Sequence, residues 1–576
     1  MAPSSSSRSG GFIPSLVSSS SINVIVGVFI GIGISIGSMK VMTIITNIIT
    51  NEHKSLLLWD EENNEDDLQI GQPLSATFLP EYKGCVYLDY NATTPVYPQV
   101  KQSIIPYLQS KWGNPSSNHA YSKPCKLVLS EARKSIALLL HANDIDKVAN
   151  NIIFTSSGTE SDNRAIDIAI NHFQTSALSL AIEPASPNNQ SKGKEKDTLT
   201  FSLPTSSDFP PHIVSSVIEH PAILAYLKHL ESKGTILLTL VSVNSEGIVN
   251  VVEVKNALSI STALVTIMHS NNEIGTIQPI KEISNIIHEF NVNENAQVLF
   301  HSDCAQSIGK VPIYIDDLGL DMITIVGHKY GAPKGIAALY IKEGIRISPF
   351  LIGGGQEKGL RAGTENVALI AGLGKASEVA LKEENELIFH MLKHKLRILI
   401  GLKNNFTESV VLKDDYQRDK PLGTWKDKLD LVLRLNGPIK SNDADLVLED
   451  IKNLRSKLED TNSIDSKKDI VLYQLPNTIS ISFKDINANI LIDSLSDKVA
   501  CSAGSACHSN DHQLSPVLKA MNIDPIWGLG TLRLSWGRHT TEDEIEKAIT
   551  YIAKEVKRQN KKDDEPKLHT NAFPWG

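Results

Sequence analysis

A lysine stands directly after an apolar run that is predicted to be a buried strand. The run is Met322–Val326, and Gly327, His328 and Lys329 follow it. β-Branched residues bounded by glycine indicate a strand, and the end of a strand in an α/β sheet is where ligands bind. A partly desolvated lysine there can act as a base or nucleophile, and it can hold an aldehyde cofactor as a Schiff base. For a lone lysine, the alternative is a solvated boundary residue.

Two other strand ends carry residues that suit such a cofactor. Asp303 ends the run Leu299–Asp303, where a carboxylate would keep a pyridine nitrogen protonated, and Gln306 lies three residues further on. His220 ends another run and can stack on a planar ring or relay protons. Each residue has a simpler alternative role, because Asp303 can cap the next helix and His220 can be a hydrogen-bonded core residue.

The segment Ser156–Asp162 follows a predicted strand and opens a helix. The free N–H groups of a first helical turn, with Gly158 allowing close approach and Thr159 adding a hydroxyl, form a phosphate site. The alternative is an ordinary helix N-cap with Glu160 in the first turn.

A cysteine lies in a segment of small residues, Cys501–Ser509. Such a loop can swing the thiol of Cys507 into and out of a site, and His508 would favour its thiolate form. The alternative is an inert surface cysteine.

Arginine occurs twice near a predicted strand, as Arg533 within Leu532–Ser535 and as Arg538 just after it. A buried arginine needs an anionic partner, and its planar fork suits the α-carboxylate of an amino acid. A structural Asp or Glu is the alternative partner.

Strand-like and amphipathic helical runs alternate from Val86 to about residue 345. This alternation predicts an α/β fold with a large, mostly parallel sheet covered on both faces. The predicted strands are Ile152–Thr155, His212–Ile218, Ile236–Val243, Ala263–Met268, Val298–His301 and Met322–Val326. A low-complexity insertion, 182–209, is predicted to be a surface loop.

A second, smaller α+β unit is predicted after residue 350. It contains a helix over Asn366–Lys395, a polar insert around 436–468, and strands over Thr478–Phe483 and Leu532–Ser535. The predicted domains are therefore 85–350 and 351–558, with a polar tail over 559–576.

The N-terminal part differs in character. Residues 1–21 are rich in Ser and Gly and are predicted to be disordered, whereas 22–48 is a candidate transmembrane anchor and 49–84 an acidic linker. A signal peptide, a mitochondrial presequence and an incorrectly predicted first exon remain alternatives for the apolar segment. A weak bias of positive charge places the large C-terminal part in the cytosol.

Composition narrows the classes of partner. The net charge of -9 and the pI near 6.0 argue against a nucleic-acid partner that relies on a basic surface. The 5 cysteines are odd in number and lack the spacing of zinc sites, so we expect no disulfide framework, no metal and a reducing compartment.

Six segments together resemble the pyridoxal-phosphate-dependent cysteine desulfurases and selenocysteine lyases, in the class V aminotransferase group of fold type I enzymes. They occur in the family's order: Tyr87–Pro95, Gly113–Ser117, Thr159–Asn163, Asn271–Gly275, Gly327–Lys329 and Gly504–Cys507. The resemblance implies pyridoxal 5'-phosphate as cofactor, an amino-acid substrate, a homodimer and an acceptor protein for the sulfur or selenium.

The resemblance also implies a role for each matching residue. Lys329 would be the Schiff-base lysine and general base, Asp303 the partner of the pyridine nitrogen, and His220 the ring that stacks on the cofactor. Gly158, Thr159 and His328 would bind the phosphate, and Asn272 and Gln306 would contact the ring oxygen and its surroundings. Arg533 would bind the substrate carboxylate, and Cys507 would be the mobile thiol. Thr364 would contact the phosphate of a partner subunit.

Within the family, the segments Gly353–Glu357 and Ala506–Ser509 are most similar to the selenocysteine lyase branch. We therefore expect cleavage of L-selenocysteine to L-alanine, with a cysteine desulfurase as the alternative and a non-catalytic membrane-tethered scaffold as a remote one. Two residues depart from the family's patterns. Val326 stands where many desulfurases have a phosphate-binding serine, and Pro221 where the lyase branch tends to be acidic.

Overall fold

The computed structural model describes residues 70–71, 84–181, 210–414, 433–438, 472–503 and 513–563. The predicted disordered segment 1–21, the candidate anchor 22–48, the insertion 182–209 and the loop that contains Cys507 lie outside these residues. Within the described part of the chain, no helix is both long and apolar enough to cross a membrane.

The strands are short and most of them are buried. They are β1 (Val86–Tyr87), β2 (Ile152–Thr155), β3 (His212–Ser216), β4 (Leu237–Val241), β5 (Thr262–Thr266), β6 (Leu299–Asp303), β7 (Met322–Val326), β8 (Ala337–Ile341), β9 (Leu433–Asn436), β10 (Thr478–Phe483), β11 (Val499–Ala500) and β12 (Thr531–Ser535).

The α-helices connect and cover the strands. They are α1 (Pro98–Gln109), α2 (Lys123–Leu139), α3 (Ile145–Asn150), α4 (Gly158–Ala181), α5 (Pro221–Ser232), α6 (Val251–Ala257), α7 (Ile280–Glu294), α8 (Ile315–Leu318), α9 (Val367–Lys382), α10 (Glu384–Asp414), α11 (Ala488–Leu495), α12 (Pro516–Ala520), α13 (Pro525–Gly528) and α14 (Glu542–Asp563).

The large sheet confirms the predicted α/β fold. Its strand order is β2-β8-β7-β6-β5-β3-β4, and β8 runs antiparallel to both of its neighbours while the other paired strands are parallel. Both faces are covered, because Ile323 and Ile325 pack in one core cluster and Met322 packs in another. The sequence analysis missed β8, since its residues include alanines and a single β-branched side chain, Ile341.

A second layer forms around the antiparallel sheet β12-β10-β9. The N-terminal strand β1 pairs in parallel with β11, and it shares a core with Trp536 and Phe483. The start of the folded chain therefore belongs to the same layer as its end, although the two are more than 400 residues apart in sequence.

The predicted continuous helix over Asn366–Lys395 is wrong, because the chain breaks between α9 and α10 at Glu383. Arg538 donates from Nε and Nη2 to the two carboxylate oxygens of Glu383, at 2.6 and 2.5 Å. A bidentate pair with a buried guanidinium holds Glu383 at the break, where its backbone has non-helical angles of φ -102 and ψ 5. Arg538, one of the two arginines singled out above, therefore has a structural partner.

Candidate functional site

The predicted site residues follow the carboxyl ends of neighbouring parallel strands. Lys329 ends a short 3₁₀ turn after β7, Asp303 ends β6 and His220 follows β3. Asn272 follows β5, and Gly158 begins α4 just after β2. Parallel strands bring their carboxyl ends to one edge of the sheet, so these residues share that edge.

The amine of Lys329 contacts a distant segment of the chain. Its Nζ donates to the backbone oxygens of Asn91 and Ala92, at 2.7 and 2.9 Å. Thr94 holds the two segments together, because its N–H and its hydroxyl both donate to the oxygen of His328, at 2.9 and 3.0 Å. The motif Tyr87–Pro95 therefore lies against the lysine and limits where its amine can go.

Asp303 is a buried carboxylate close to two basic groups. One of its oxygens accepts the N–H of Ala305 at 2.9 Å, so the capping role is present as well. Burial raises the pKa of Asp303, while the Ala305 N–H and the nearby basic groups of His220 and Lys329 act in the opposite direction. A cation brought to this carboxylate would therefore relieve part of the cost of its burial.

His220 is held in one tautomer. Its Nδ1 accepts the N–H of Ala222 at 3.1 Å, as the N-cap of α5. Burial lowers the pKa of His220, and Lys329 acts in the same direction while Asp303 opposes it. Because Nδ1 accepts a hydrogen bond it carries no proton, so the ring is in its neutral form. A neutral ring whose Nδ1 is an acceptor carries its proton on Nε2, and it presents an uncharged face for stacking.

The first turn of α4 meets the end of β7 closely. A Cβ built on Gly158 would lie 2.6 Å from Cγ2 of Val326, so any larger residue would force one of the two to move. The N–H groups of Gly158 and Thr159 have no partner within the helix, as in any first turn, and Thr159 is exposed. This is a cradle for an anion at a helix N-terminus.

The hydrogen bonds of this turn show the N-cap that was the alternative prediction. Ser157 Oγ accepts the N–H of Glu160 at 3.2 Å, and a carboxylate oxygen of Glu160 accepts the N–H of Ser156 at 2.7 Å. Arg361 pairs with Glu160 at 3.0 Å. The acidic side chain is therefore neutralised beside the anion cradle.

His328 is the remaining residue predicted to bind the phosphate. Its Nδ1 is 3.2 Å from the hydroxyl of Thr93. Burial, followed by the nearby Lys329, Lys334 and Lys310, lowers the pKa of His328 to about 4. At neutral pH it would contact a phosphate as a hydrogen-bonding group rather than as a cation.

Arg533 is buried and contacts the backbone of Asn272. Its Nη2 donates to Asp89 at 2.7 Å and to Ser502 Oγ at 3.1 Å, and its Nη1 donates to the oxygen of Asn272 at 3.2 Å. The structural acid proposed as its alternative partner is therefore Asp89. Its Nε has no hydrogen-bond partner within the described residues, so the guanidinium retains a free donor.

Asn91 joins most of these groups and was missed by the sequence analysis. Its backbone oxygen accepts from Lys329 and also from Nε2 of Gln306, at 3.0 Å. Its side chain donates to the oxygen of Asn272 at 3.2 Å, and its Oδ1 accepts from Nζ of Lys310 at 3.1 Å. The signal available in the sequence was its place within the segment Tyr87–Pro95.

Glu219, next to His220, was also missed. Both of its oxygens accept the N–H of Met268 at 3.0 Å, and one accepts the hydroxyl of Ser216 at 2.6 Å. Burial raises the pKa of Glu219 to about 8. This carboxyl group ties the end of β3 to the end of β5, and so fixes the strand end from which His220 projects.

Two predicted residues are not brought to this edge by the described chain. Thr364 lies exposed on the loop before α9, and Cys507 lies outside the described residues. A cavity of about 740 Å³ also lies elsewhere, and charged side chains such as Arg133, Glu357 and Lys358 line it.

The described residues fit pyridoxal 5'-phosphate on three counts. The cradle at Gly158 suits a phosphate, the buried Asp303 suits a protonated ring nitrogen, and Lys329 supplies an amine at the same edge of the sheet. The fold and the site thus define a fold type I enzyme that uses this cofactor.

Comparisons with known proteins give the family. The aminotransferase class-V family model matches residues 86–180 and 203–405. A cysteine desulfurase of Nostoc sp. is 35% identical over 474 residues, which is 82% of this chain and 93% of that protein. The cysteine desulfurase IscS of Dictyoglomus turgidum is 33% identical over 476 residues, 82% of this chain and 95% of that protein.

Solved structures agree with these sequence matches. A NifS-like protein has a TM-score of 0.60 at 27% identity, covering 83% of this chain and 99% of that one. A NifS-like protein from Rickettsia africae has a TM-score of 0.54 at 25% identity, covering 82% of this chain and 99% of that one. The chain belongs to the class V aminotransferase family, and its cofactor is pyridoxal 5'-phosphate.

Proposed function

We propose that the protein is a cysteine desulfurase, which converts L-cysteine to L-alanine and retains the sulfur as a persulfide on Cys507. The observation that carries this proposal is the match to cysteine desulfurases over 93% and 95% of their own length. This was the alternative in the sequence analysis. The preference for selenocysteine, predicted from a few segments, has no support in these relatives.

The cofactor, when bound, withdraws electrons from the substrate carbon, which makes the Cα proton acidic. Lys329 would hold the cofactor through its amine. Once the amine of the substrate takes its place on the cofactor, the freed amine of Lys329 would accept that proton. We assign ring stacking to His220, the ring-nitrogen contact to Asp303, and the ring-oxygen region to Asn272 and Gln306.

The remaining groups bind the phosphate of the cofactor and the carboxylate of the substrate. Gly158, Thr159 and His328 bind the phosphate at the start of α4. Arg533 binds the substrate carboxylate with the donor that its pairing with Asp89 leaves free.

The sulfur transfer needs no external oxidant. The thiolate of Cys507 attacks the substrate sulfur, so that an S–S bond forms as the C–S bond of the substrate breaks. The carbon skeleton gains a proton and leaves as alanine. One cysteine and one enzyme thiol thus give one alanine and one persulfide, and an acceptor protein would then take the terminal sulfur.

We infer a homodimer from a surface that a single copy leaves uncovered. Trp112 stacks on Tyr121 with ring centroids 5.5 Å apart, yet Trp112 is 67% exposed. Leu108 and Leu127, in the helices on either side, are exposed as well. Exposed aromatic and aliphatic groups of this size are typical of a protein interface.

This surface adjoins the loop that carries Thr364. Gln356 donates from Nε2 to the hydroxyl of Ser116 at 3.4 Å, and its Oε1 accepts the N–H of Gly363 at 3.2 Å. We therefore propose that Thr364 reaches the phosphate of the partner subunit. A Trp112→Glu variant should sediment as a monomer and bind the cofactor less tightly, and a monomeric wild-type protein would contradict this.

The function is tested by measuring alanine release from cysteine and from selenocysteine, with the full chain and added cofactor. We expect turnover of cysteine, with a mass increase of one sulfur atom on Cys507. Cys507→Ala should abolish cysteine turnover, whereas Cys85→Ala serves as the control for loss of a thiol. A large preference for selenocysteine would restore the lyase prediction, and no turnover of either substrate would favour a non-catalytic scaffold.

A further inference from the structure

Lys310 is a buried lysine whose described hydrogen bonds go to uncharged groups. It is 5% exposed, and its Nζ donates to Oε1 of Gln306 at 2.8 Å and to Oδ1 of Asn91 at 3.1 Å. Both acceptors are side-chain amides rather than carboxylates. Burying an ammonium group against such partners is costly, so a local structural benefit alone is a weak explanation for it.

The two acceptors of Lys310 are the residues that surround Lys329. The backbone oxygen of Asn91 accepts from Lys329 at 2.7 Å and from Nε2 of Gln306 at 3.0 Å. Lys310, Gln306, Asn91 and Lys329 therefore form one hydrogen-bonded chain.

Lys310 determines which way the amide of Gln306 points. The amide oxygen of Gln306 accepts from Nζ of Lys310, and its NH₂ group donates to the backbone oxygen of Asn91. A lysine amine is a hydrogen-bond donor in either protonation state, so it favours the amide oxygen on its side. With an apolar side chain at position 310, the amide oxygen would lose this donor and the group could rotate. The hydrogen bond from Lys310 thus determines the orientation of the Gln306 amide.

The backbone around Lys310 is also locked to the turn that carries Lys329. Gly309 has a left-handed φ of +72, and a Cβ on it would lie 2.7 Å from Cβ of Tyr330, the residue after Lys329. Burial and the positive charges of Lys329 and Arg533 lower the pKa of Lys310 well below its ordinary value. The position of this amine is therefore tightly determined by its surroundings.

We propose that Lys310 is a positioning residue, which orients the amide of Gln306 so that it holds the backbone oxygen of Asn91 against Lys329 and keeps the cofactor ring in register. This inference rests on the proposed roles of Lys329 and Gln306. It requires no contact between Lys310 and the substrate.

The test is the absorption spectrum of the bound cofactor as a function of pH, measured on the full chain. Lys310→Met should shift the pH midpoint of the cofactor band, and should lower kcat for cysteine about tenfold with little change in KM. Gln306→Met should shift the midpoint in the same way, and Lys310→Met should add nothing further in that background, because Lys310 acts through Gln306.

Lys395→Met is the matched control. Lys395 is another buried lysine, and it contacts Gln474 and the oxygen of Leu475 rather than Asn91 or Gln306. We expect it to lower stability while leaving the spectrum unchanged. Equal spectra for Lys310→Met and wild type, or additive shifts in the double variant, would overturn the inference. A wild-type protein that binds no cofactor would instead refute the proposed function.

Discussion

Gly158→Ala tests the contact between α4 and β7 most sharply. The added Cβ would lie 2.6 Å from Cγ2 of Val326, whereas carbon atoms pack best at about 3.5–4.0 Å, so one of the two must move by roughly 1 Å. Alanine is favoured over glycine in a helix by up to about 1 kcal/mol, and overpacking costs about 1–3 kcal/mol. The net change in stability should therefore be small.

The atoms that must move belong to the first turn of α4 or to Val326 beside it, which form the anion cradle. We therefore expect the substitution to change mainly the affinity for the cofactor. If the full overpacking cost is expressed there, the Kd for pyridoxal 5'-phosphate rises about 5- to 150-fold. Titration of the apo-protein by absorbance measures this Kd, and urea denaturation measures stability.

The rescue variant is Gly158→Ala with Val326→Ala, which removes the methyl group in the clash. It should recover most of the lost affinity. Val326→Ser alone should bind the cofactor at least as tightly as wild type, since it adds a hydroxyl beside the cradle. Wild-type affinity in Gly158→Ala, or a folded double variant with no recovery, would refute the reasoning.

Three further predictions concern charge and the N-terminus. Arg533→Lys and Asp89→Asn should each lower the free energy of unfolding, measured in urea, by roughly 3 kcal/mol. Arg533→Lys should also raise the KM for cysteine more than Asp89→Asn does. Equal KM values would assign Arg533 a structural role alone. Burial lowers the pKa of His301 to about 3 in the folded protein. Below pH 6.5 this residue therefore binds a proton in the unfolded chain but not in the folded one. Its contribution should lower the free energy of unfolding by about 1.4 kcal/mol for each pH unit of acidification. His301→Gln should flatten that fall in urea denaturation at pH 7, 6 and 5, with the exposed His119→Gln as the control and an unchanged slope as the contrary result. A fluorescent fusion that lacks residues 1–50 should distribute differently from the full chain if 22–48 is an anchor, and an identical distribution would exclude this.

The strand ends of the site were predictable because their signals are local. The β-branched run before Lys329 is bounded by glycine, and the alternation of strands and helices implies parallel pairing. Parallel pairing alone then brings these ends to one edge of the sheet. For the same reason, the first turn of α4 was recognised from a few consecutive residues.

What was missed depends on contacts between distant parts of the chain. Asn91 meets Lys329 across 238 positions, and Arg538 stops a helix at Glu383 across 155 positions. No local pattern marks either event, because the partner is brought close only by the completed fold. The burial of Lys310 has the same cause, since its isolated sequence context is that of an ordinary surface lysine.

Lys329 is the lysine assigned to hold the cofactor, and a second lysine, the buried Lys310, lies within the same hydrogen-bonded network. Reduction of the cofactor-loaded protein with borohydride, followed by peptide mass spectrometry, identifies the lysine that is covalently attached. We expect the mass of the reduced cofactor on Lys329 and none on Lys310. Attachment to Lys310, or to no lysine at all, would contradict the assignment of the site.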